Sequence, residues 1–255
     1  MIDIHSHILP GLDDGARTIG EALQMAKAAL DEGIKAIVAT PHIVCTGSNG
    51  RERILARLRE VQEAVAEQGW AISVLPGAEL YVEPNLVKEV RAGRAPTIND
   101  GPYALVELPI RDYPLYTEQV LFELQVAGIV PILAHPERLV SLMRDISLLF
   151  RLVQRGVLAQ ITAESLIGGQ GPAIKGLTEI MLRHNLVHVI ASDAHSVDFR
   201  PPVLKAAAER AAELIEPAKA WAMVTSVPQA IVEGRPIEVE EPMQPPTRKF
   251  WNLWR

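Results

Sequence analysis

Cysteine is all but missing: Cys45 stands alone among 255 residues, so no internal disulfide can brace the chain. No run approaches the roughly 18 apolar residues needed to cross a bilayer. The start at Met1 has neither a basic n-region nor an apolar h-region, and the expected location is the cytoplasm. Positive charge is also short, with 25 Lys and Arg against 31 Asp and Glu, a net charge of −6 and a pI near 5.7. That balance argues against a broad surface for nucleic-acid backbone, though it leaves room for a small cationic pocket suited to a small phosphate. Internal repeats and low-complexity segments are absent, which excludes a solenoid.

What the chain does have is apolar substance and a regular alternation. Hydrophobic side chains make up 48% of it, enough for one substantial core and one domain. In the opening MIDIHSHILPGLDDG, Ile2 to His7 reads as a short strand. His5 and His7, two apart, project from one face, close enough to share a metal ion. Asp13, Asp14 and Gly15 form a turn carrying oxygen ligands. Thr18 and Glu21 then cap a helix whose stripe is Ala22, Met25, Ala26, Ala29 and Leu30, and Gly33 stops it.

The run from Ile34 to His42 reads as a strand buried on both faces. Arg51 to Gln68 is helical, with Ile54, Leu58, Val61 and Val65 on one side. Residues 71–79 make a strand closing on Glu79, and a short helix near 84–92 leads to the strand Tyr103 to Leu108, which delivers Glu107. A helix from about 116 to 127 precedes a strand ending at His135. A helix over 145–155 precedes the strand GVLAQIT, and a helix over 171–184 precedes the last strand, Leu186 to Asp193. Seven strands separated by helical sequence imply a parallel sheet with right-handed crossovers, closed or nearly closed.

The polar residues fall in a pattern. His5, His7, His42, Glu79, Glu107, His135, Asp193 and His195 all lie at or just past the carboxyl end of a strand. In a βα barrel those ends meet on one face. A single strand-end Glu or His is usually a satisfied polar residue. Eight such groups could not gather unpaired without a large desolvation cost, so the pattern predicts a multinuclear metal site, with Asp14 as a ninth ligand.

The segments DIHSH, TPH, GAE, VEL, AHPER and SDAH, in this order and spacing, resemble the polymerase and histidinol phosphatase (PHP) family of metal-dependent phosphoesterases. ILPGLDDGA, AHPER and HVIASDAH are most similar to its branch of bacterial tyrosine-protein phosphatases that regulate capsule and exopolysaccharide synthesis. The similarity runs from Met1 to about Gly234, leaving 235–255 as a C-terminal tail. The resemblance implies an α/β fold, a distorted seven-stranded (βα)7 barrel, with three metal ions. His5, His7, Glu79 and Asp193 would hold the first ion. Glu79, as a bridge, would hold the second with Glu107 and His135, and Asp14, His42 and His195 the third. Arg138 and Arg200 match residues that contact phosphate. Manganese is the expected metal, with iron or zinc as alternatives, since mixed imidazole and carboxylate ligands do not choose among them.

The implied chemistry is hydrolysis of phosphotyrosine by a hydroxide bridging two of the ions, with the arginines neutralising phosphate charge. The implied partner is the tyrosine-rich tail of a polysaccharide-regulating kinase. Alternatives are a histidinol-phosphate or nucleotide phosphoesterase on the same metals, and a non-catalytic metal-binding regulatory domain. A different chemistry is also written in the sequence: Cys45 to Arg51 fits Cys-x5-Arg, the phosphate loop of cysteine-dependent tyrosine phosphatases. Pro41 and His42, between the strand and that segment, argue against it. Ile43, Val44 and Cys45 are apolar where the branch often has basic residues. The tail is expected to be a mobile or surface-packed terminus, or else Phe250, Trp251 and Trp254 are expected to dock on this chain or a neighbour, a route to an oligomer.

Overall fold

A computed structural model describes residues 1–43 and 50–246; Cys45 and the tail aromatics Phe250, Trp251 and Trp254 lie outside the described residues. The chain opens with β1 (Ile2–Ser6) and α1 (Ile19–Glu32), then β2 (Ala36–Ala39), β3 (His42–Ile43) and α2 (Gly50–Glu67). Next come β4 (Ser73–Pro76), β5 (Glu79–Tyr81), α3 (Leu86–Arg91), β6 (Tyr103–Glu107), α4 (Thr117–Val126) and β7 (Val130–Ala134). The second half holds α5 (Val140–Arg144), α6 (Ser147–Gln154), β8 (Leu158–Thr162), α7 (Ala163–Ile167), α8 (Pro172–Arg183) and β9 (Val189–Ala191). Three helices not anticipated from the alternation follow, α9 (Lys205–Ala212), α10 (Pro217–Ala222) and α11 (Ser226–Val232).

Helix boundaries follow local chemistry. Thr18 Oγ1 accepts the Glu21 N–H at 3.2 Å and Gly33 closes α1 at φ 90°. The Glu21 carboxylate does not return to Thr18; it accepts from the Arg17 backbone N–H at 2.8 Å and from the Arg17 guanidinium. Along α2 the buried residues are Ile54, Leu58, Val61 and Val65, the 3–4 spacing that turns one stripe inward.

Every strand pair is parallel, but the strands do not form one seven-stranded sheet. They form a three-stranded sheet ordered β1-β2-β4 and a six-stranded sheet ordered β3-β5-β6-β7-β8-β9. The correction has a local cause, because two expected strands each break in the middle. Pro41 has no N–H to give a ladder and separates β2 from β3. Gly77 separates β4 from β5 where the chains crowd: a Cβ there would lie 2.6 Å from Val38 Cγ1. Between β1 and β9 the links are a bridge from Ser6 to Ala194, an Asp193 N–H to His5 oxygen bond of 2.9 Å and a His7 N–H to Ala194 oxygen bond of 2.8 Å.

Two apolar clusters lie on opposite faces of these strands. The larger joins outward strand residues such as Leu80, Val106 and Leu133 to the helices. The smaller collects Ile2, Ile4, Val38, Tyr103, Leu105, Ile132, Ala134, Leu158, Val189 and Ala191, and Ile231 and Val232 of α11 join it. On β6 this face continues from Tyr103 and Leu105 to Glu107, so apolar packing gives way to the polar site along a single strand.

On β1 a simple period of two would put Ile2, Ile4 and Ser6 on that face and turn His5 and His7 away. The register prevents this. Asp3 pairs with Ile37 and Ser6 with Ala39, so β1 spends one extra residue there, a bulge that re-aims the side chains after it. Asp3, fully buried at the bulge, accepts the Ser192 N–H at 3.0 Å and the His5 N–H at 3.3 Å, and also takes the Ser192 hydroxyl. One buried carboxylate thus ties the first strand to the segment that carries Asp193.

The described part of the tail is held down. Met243 N–H reaches the His184 oxygen at 2.9 Å, Asn185 Nδ2 the Glu241 oxygen at 3.0 Å, and Lys219 pairs with Glu240 at 2.8 Å. Among the described residues no helix is long and apolar enough to cross a membrane.

His188 lies away from the polar site and accepts the Ala159 N–H at 3.0 Å through Nδ1. Burial, with Lys219 nearby, pulls its imidazole down to about 4. The folded group resists protonation that the unfolded group accepts from pH 6.5 downward, so its contribution is present above that pH and is lost as the pH falls toward 4. The loss should reach about 2 kcal/mol by pH 5. His188→Asn keeps an acceptor for Ala159, and its unfolding midpoint should fall less than wild type between pH 7 and pH 5; equal falls would contradict this assignment.

Candidate metal centre

The polar ends of the strands converge. His5 Nε2 lies 3.3 Å from His7 Nε2, 3.2 Å from Glu79 Oε2 and 3.3 Å from Asp193 Oδ1. His7 Nε2 lies 3.4 Å from each of the same two oxygens. Four ligand atoms placed tetrahedrally about 2.1 Å from one centre are about 3.4 Å apart. The spacing of His5, His7 and Asp193 suits the coordination shell of one cation, while Glu79, beside the same two imidazoles, closes with His5 and His135.

The protons point the same way. His7 Nδ1 donates to Asp13 Oδ2 at 2.7 Å and His5 Nδ1 donates to Gln160 Oε1 at 2.8 Å. Each ring therefore turns the lone pair of its other nitrogen inward. Two such lone pairs 3.3 Å apart repel unless a cation or a proton stands between them. A divalent ion fits this donor set, because it answers both the repulsion and the buried Glu79 Oε2, which is ringed by imidazole nitrogens at 3.0–3.4 Å without a well-aligned hydrogen bond.

The remaining groups ring this nucleus. His135 Nε2 lies 2.8 Å from Glu79 Oε1 and 3.9 Å from Glu107 Oε1. His42 Nδ1 lies 3.0 Å from Glu79 Oε2 and 3.4 Å from Glu107 Oε2. Asp14 Oδ1 sits 3.3 Å from His195 Nε2 and 3.6 Å from His42 Nε2. Sets able to close on one ion are His5, His7 and Asp193; His5, Glu79 and His135; His42, Glu79 and Glu107; and His7, Asp14, His42 and His195. All nine residues singled out in the sequence meet here. The sets depart from the expected grouping in three overlaps: His7 also reaches the Asp14 set, His5 closes with Glu79 and His135, and His42 closes with Glu79 and Glu107; in these sets Glu79 does not join Asp193, nor His135 Glu107.

Charge explains the electrostatics. Asp13, Asp14, Glu79, Glu107 and Asp193 face Arg138 and Arg200, an excess of three negative charges with neutral imidazoles. Burial works against charge on Glu79 and Asp193, yet His5 and its neighbours hold both carboxyls well below their ordinary range. Burial likewise pulls His42 down, but hydrogen bonding to Glu107 and Glu79 carries it up to about 10. The pocket demands positive charge, as protons or as metal.

Asp193 divides its oxygens. Oδ1 faces His5 and His7, while Oδ2 accepts from Arg138 Nη1 at 2.7 Å and from Arg200. The backbone is shaped for this: His135 and Asp193 sit at φ 33° and 54°, a left-handed region costly for residues other than glycine. Asp13, which the sequence placed in a turn, is a support for the site. Besides His7 it accepts the Gly15 N–H at 2.9 Å and the His42 N–H at 3.1 Å. A Cβ on Gly15 would lie 2.0 Å from the His7 backbone oxygen, so the turn can pass only as glycine.

Three supporting residues escaped sequence reasoning: Gln160 behind His5, Asp3 behind Ser192, and Glu137, whose buried carboxylate accepts the Thr162 N–H at 2.8 Å. The signal available was polarity inside otherwise apolar strands or a conspicuous motif, as with the Glu of HPER. The rival Cys-x5-Arg reading loses its cation. Arg51 is engaged bidentately by Asp100 at 2.7 and 2.9 Å, and Cys45 lies outside the described residues.

Comparison with known proteins follows the same line. Residues 1–233 match the family model for capsular polysaccharide synthesis, CpsB/CapC. CapC of Staphylococcus aureus is 39% identical over 206 residues, covering 80% of this chain and 81% of the relative. The tyrosine-protein phosphatase YwqE of Bacillus subtilis is 38% identical over 205 residues, covering 78% and 79%. The fold superposes at a TM-score of 0.92, with 32% identity and coverage of 97% of this chain and 100% of the other, on a chain from the crystal structures of B. subtilis YwqE and Streptococcus pneumoniae CpsB, described as unique metal-dependent tyrosine phosphatases.

The two neighbouring aspartates should separate experimentally. Asp13→Asn removes charge behind His7 and should weaken manganese binding about 10–100-fold without lowering the number of ions bound at saturation. Asp14, with a side chain 68% exposed, supports no imidazole from behind, and Asp14→Asn should lower the saturating stoichiometry instead. Elemental analysis of both variants across a manganese titration checks this; the same stoichiometry in both would remove the distinction.

Proposed function

This chain belongs to the CpsB/CapC family of capsular polysaccharide synthesis, and on that premise we propose that it is a metal-dependent protein-tyrosine phosphatase. The observation that carries the reading is the shared Asp193, which joins a cation-shaped cluster of imidazoles and carboxylates to two half-buried guanidiniums. Metal ions and a phosphate dianion are the two partners such a pair of neighbouring environments suits. Candidate substrates are phosphotyrosyl proteins, in the first place the tail of a tyrosine kinase that regulates polysaccharide synthesis.

On this reading His5, His7, Glu79 and Asp193 hold one ion, Glu79, Glu107 and His135 a second, and Asp14, His42 and His195 a third. Manganese suits this donor set, as do iron and zinc. When bound, such ions supply Lewis acidity and lower the pKa of water to near neutrality. The two sheets are read as one distorted barrel of seven βα units, interrupted at Pro41 and Gly77 and joined through Ser6 and Ala194; that arrangement would bring all nine residues to one mouth.

The chain's own residues do the rest. Asp13 and Gln160 fix the rings of His7 and His5, so their inward nitrogens need no reorientation. Arg138 and Arg200, coming from different loops to one carboxylate oxygen, are placed to transfer N–H donors to phosphate oxygens and balance their charge. Each planar fork can match two oxygens at once, which an ammonium cannot. The tyrosyl oxygen leaves with a pKa of about 10, so little protonation is needed as the ester bond breaks.

Hydrolysis of a phosphotyrosine peptide, histidinol phosphate and a short oligonucleotide under saturating manganese tests the assignment. Phosphotyrosine should give the highest kcat/KM; preference for either rival would overturn the reading. Exhaustive chelation should abolish turnover and manganese should restore it, while Cys45→Ser should behave as wild type. Arg200→Lys, which keeps charge but loses the fork, should lower kcat about 10²-fold. Activity that survives chelation but not Cys45→Ser would invert the mechanism.

A further inference from the structure

Beside the arginine that faces Asp193 stands an aromatic ring with no packing role. Phe199 is 84% exposed, and it precedes Arg200 directly. Isolated exposed apolar residues are ordinary on protein surfaces. Three features set this one apart.

The first is rigidity. The loop that carries Phe199 is pinned at both ends: Phe199 N–H donates to Ser196 Oγ at 3.0 Å, and the His195 and Ser196 N–H groups both reach the Arg200 oxygen, at 3.0 and 3.3 Å. An aromatic ring on so short and closed a loop is presented to solvent at a fixed place, with little conformational entropy to lose on meeting a ligand. The second is continuity with the site. Phe199 lines a cleft of about 470 Å³ whose wall also includes Asp14, His195 and Arg200, and which runs past Arg17 and Gln24 at the start of α1. That cleft is far larger than a phosphate group needs. The third is contrast: Phe122, 63% exposed on α4, has no link to the strand ends, and Leu115, fully exposed after β6, does not line this cleft.

We propose that Phe199 is a specificity-determining residue, packing against the aryl ring of a phosphotyrosyl peptide whose phosphate is held by Arg200. The inference rests on the phosphatase reading above and deepens it, since it names the part of the ester that the neighbouring cleft reads. A planar ring joined to phosphorus through one oxygen would extend from a phosphate at Arg200 into the cleft that Phe199 lines. Offset or edge-to-face contact with Phe199 then covers apolar surface that an alkyl or inorganic phosphate lacks. The peptide flanks continue along the Arg17 and Gln24 wall.

The test compares two constants for each variant under saturating manganese: KM for a phosphotyrosine peptide and the inhibition constant for inorganic phosphate. Phosphate alone reads the arginines and the metals, while the peptide also reads the ring contact. In Phe199→Ala the ratio of peptide KM to phosphate inhibition constant should rise about tenfold. Phe199→Tyr should restore it, and Phe122→Ala should leave it as in wild type. An unchanged ratio in Phe199→Ala, or an equal rise in both constants, would overturn the proposal by making Phe199 a surface residue or a mere prop for Arg200. If wild type does not hydrolyse the peptide while it hydrolyses histidinol phosphate, the phosphatase reading itself falls and the proposal falls with it.

Discussion

The polar strand ends converge on one buried carboxylate, Glu79. Glu79 touches four imidazoles from three strands or their extensions: His5 and His7 of β1 through Oε2, His42 of β3 through Oε2, and His135 after β7 through Oε1. Its side chain has no measurable exposure, so its charge cannot be carried by water. A buried carboxylate without partners would lose several kcal/mol and shed its charge instead. The strands must therefore deliver cationic or metal-bridging groups to it, and their parallel arrangement is what allows four to arrive from the same side. The break at Gly77 serves this end: it hands Glu79 to a second sheet, whose neighbours include the strand that ends on Glu107.

The convergence was legible in the sequence because parallel strands end on one face and because His, Glu and Asp at those ends are conspicuous against apolar runs. The stripes of α1 and α2 were legible for the same reason of period. Other features had no local signature. The one-residue bulge in β1 decides which face His5 takes, yet Ile2-Asp3-Ile4-His5 reads equally well with either face inward. Gln160 sits in the middle of a buried strand and owes its role to a ring 155 positions away. The division of two strands into four at Pro41 and Gly77 was visible as punctuation, but the resulting change of sheet depends on how closely Val38 approaches. The helices after β9 pack short alanine-rich faces, Ala207, Ala208 and Ala211, which give only a weak periodic contrast.

The supporting residues show where stability has been traded for placement. His135 and Asp193 hold left-handed backbone at a cost of roughly 1–3 kcal/mol each. Asp3 and Glu137 are buried carboxyls that burial pushes up, offset in part by hydrogen bonds from Ser192 and Thr162. None of these costs would be tolerated on an unconstrained loop. They persist because the apolar clusters on both faces of the strands leave the strand ends little freedom to relax.

Asp193 gives the site its logic. Its Oδ1 belongs to the histidine cluster and its Oδ2 to Arg138 and Arg200, so one carboxylate positions both the imidazoles and the guanidiniums. A cation held at Oδ1 would withdraw charge from the oxygen that the arginines share and weaken their hold on it. A phosphate would then compete for the guanidiniums against a depleted carboxylate rather than a full one. On the proposed reading the two binding events would be coupled through a single side chain, and by linkage the preference would run both ways: cations would favour the anion, and the anion the cations. No moving domain is required for that coupling, only the left-handed turn at Asp193 that keeps its two oxygens facing opposite partners.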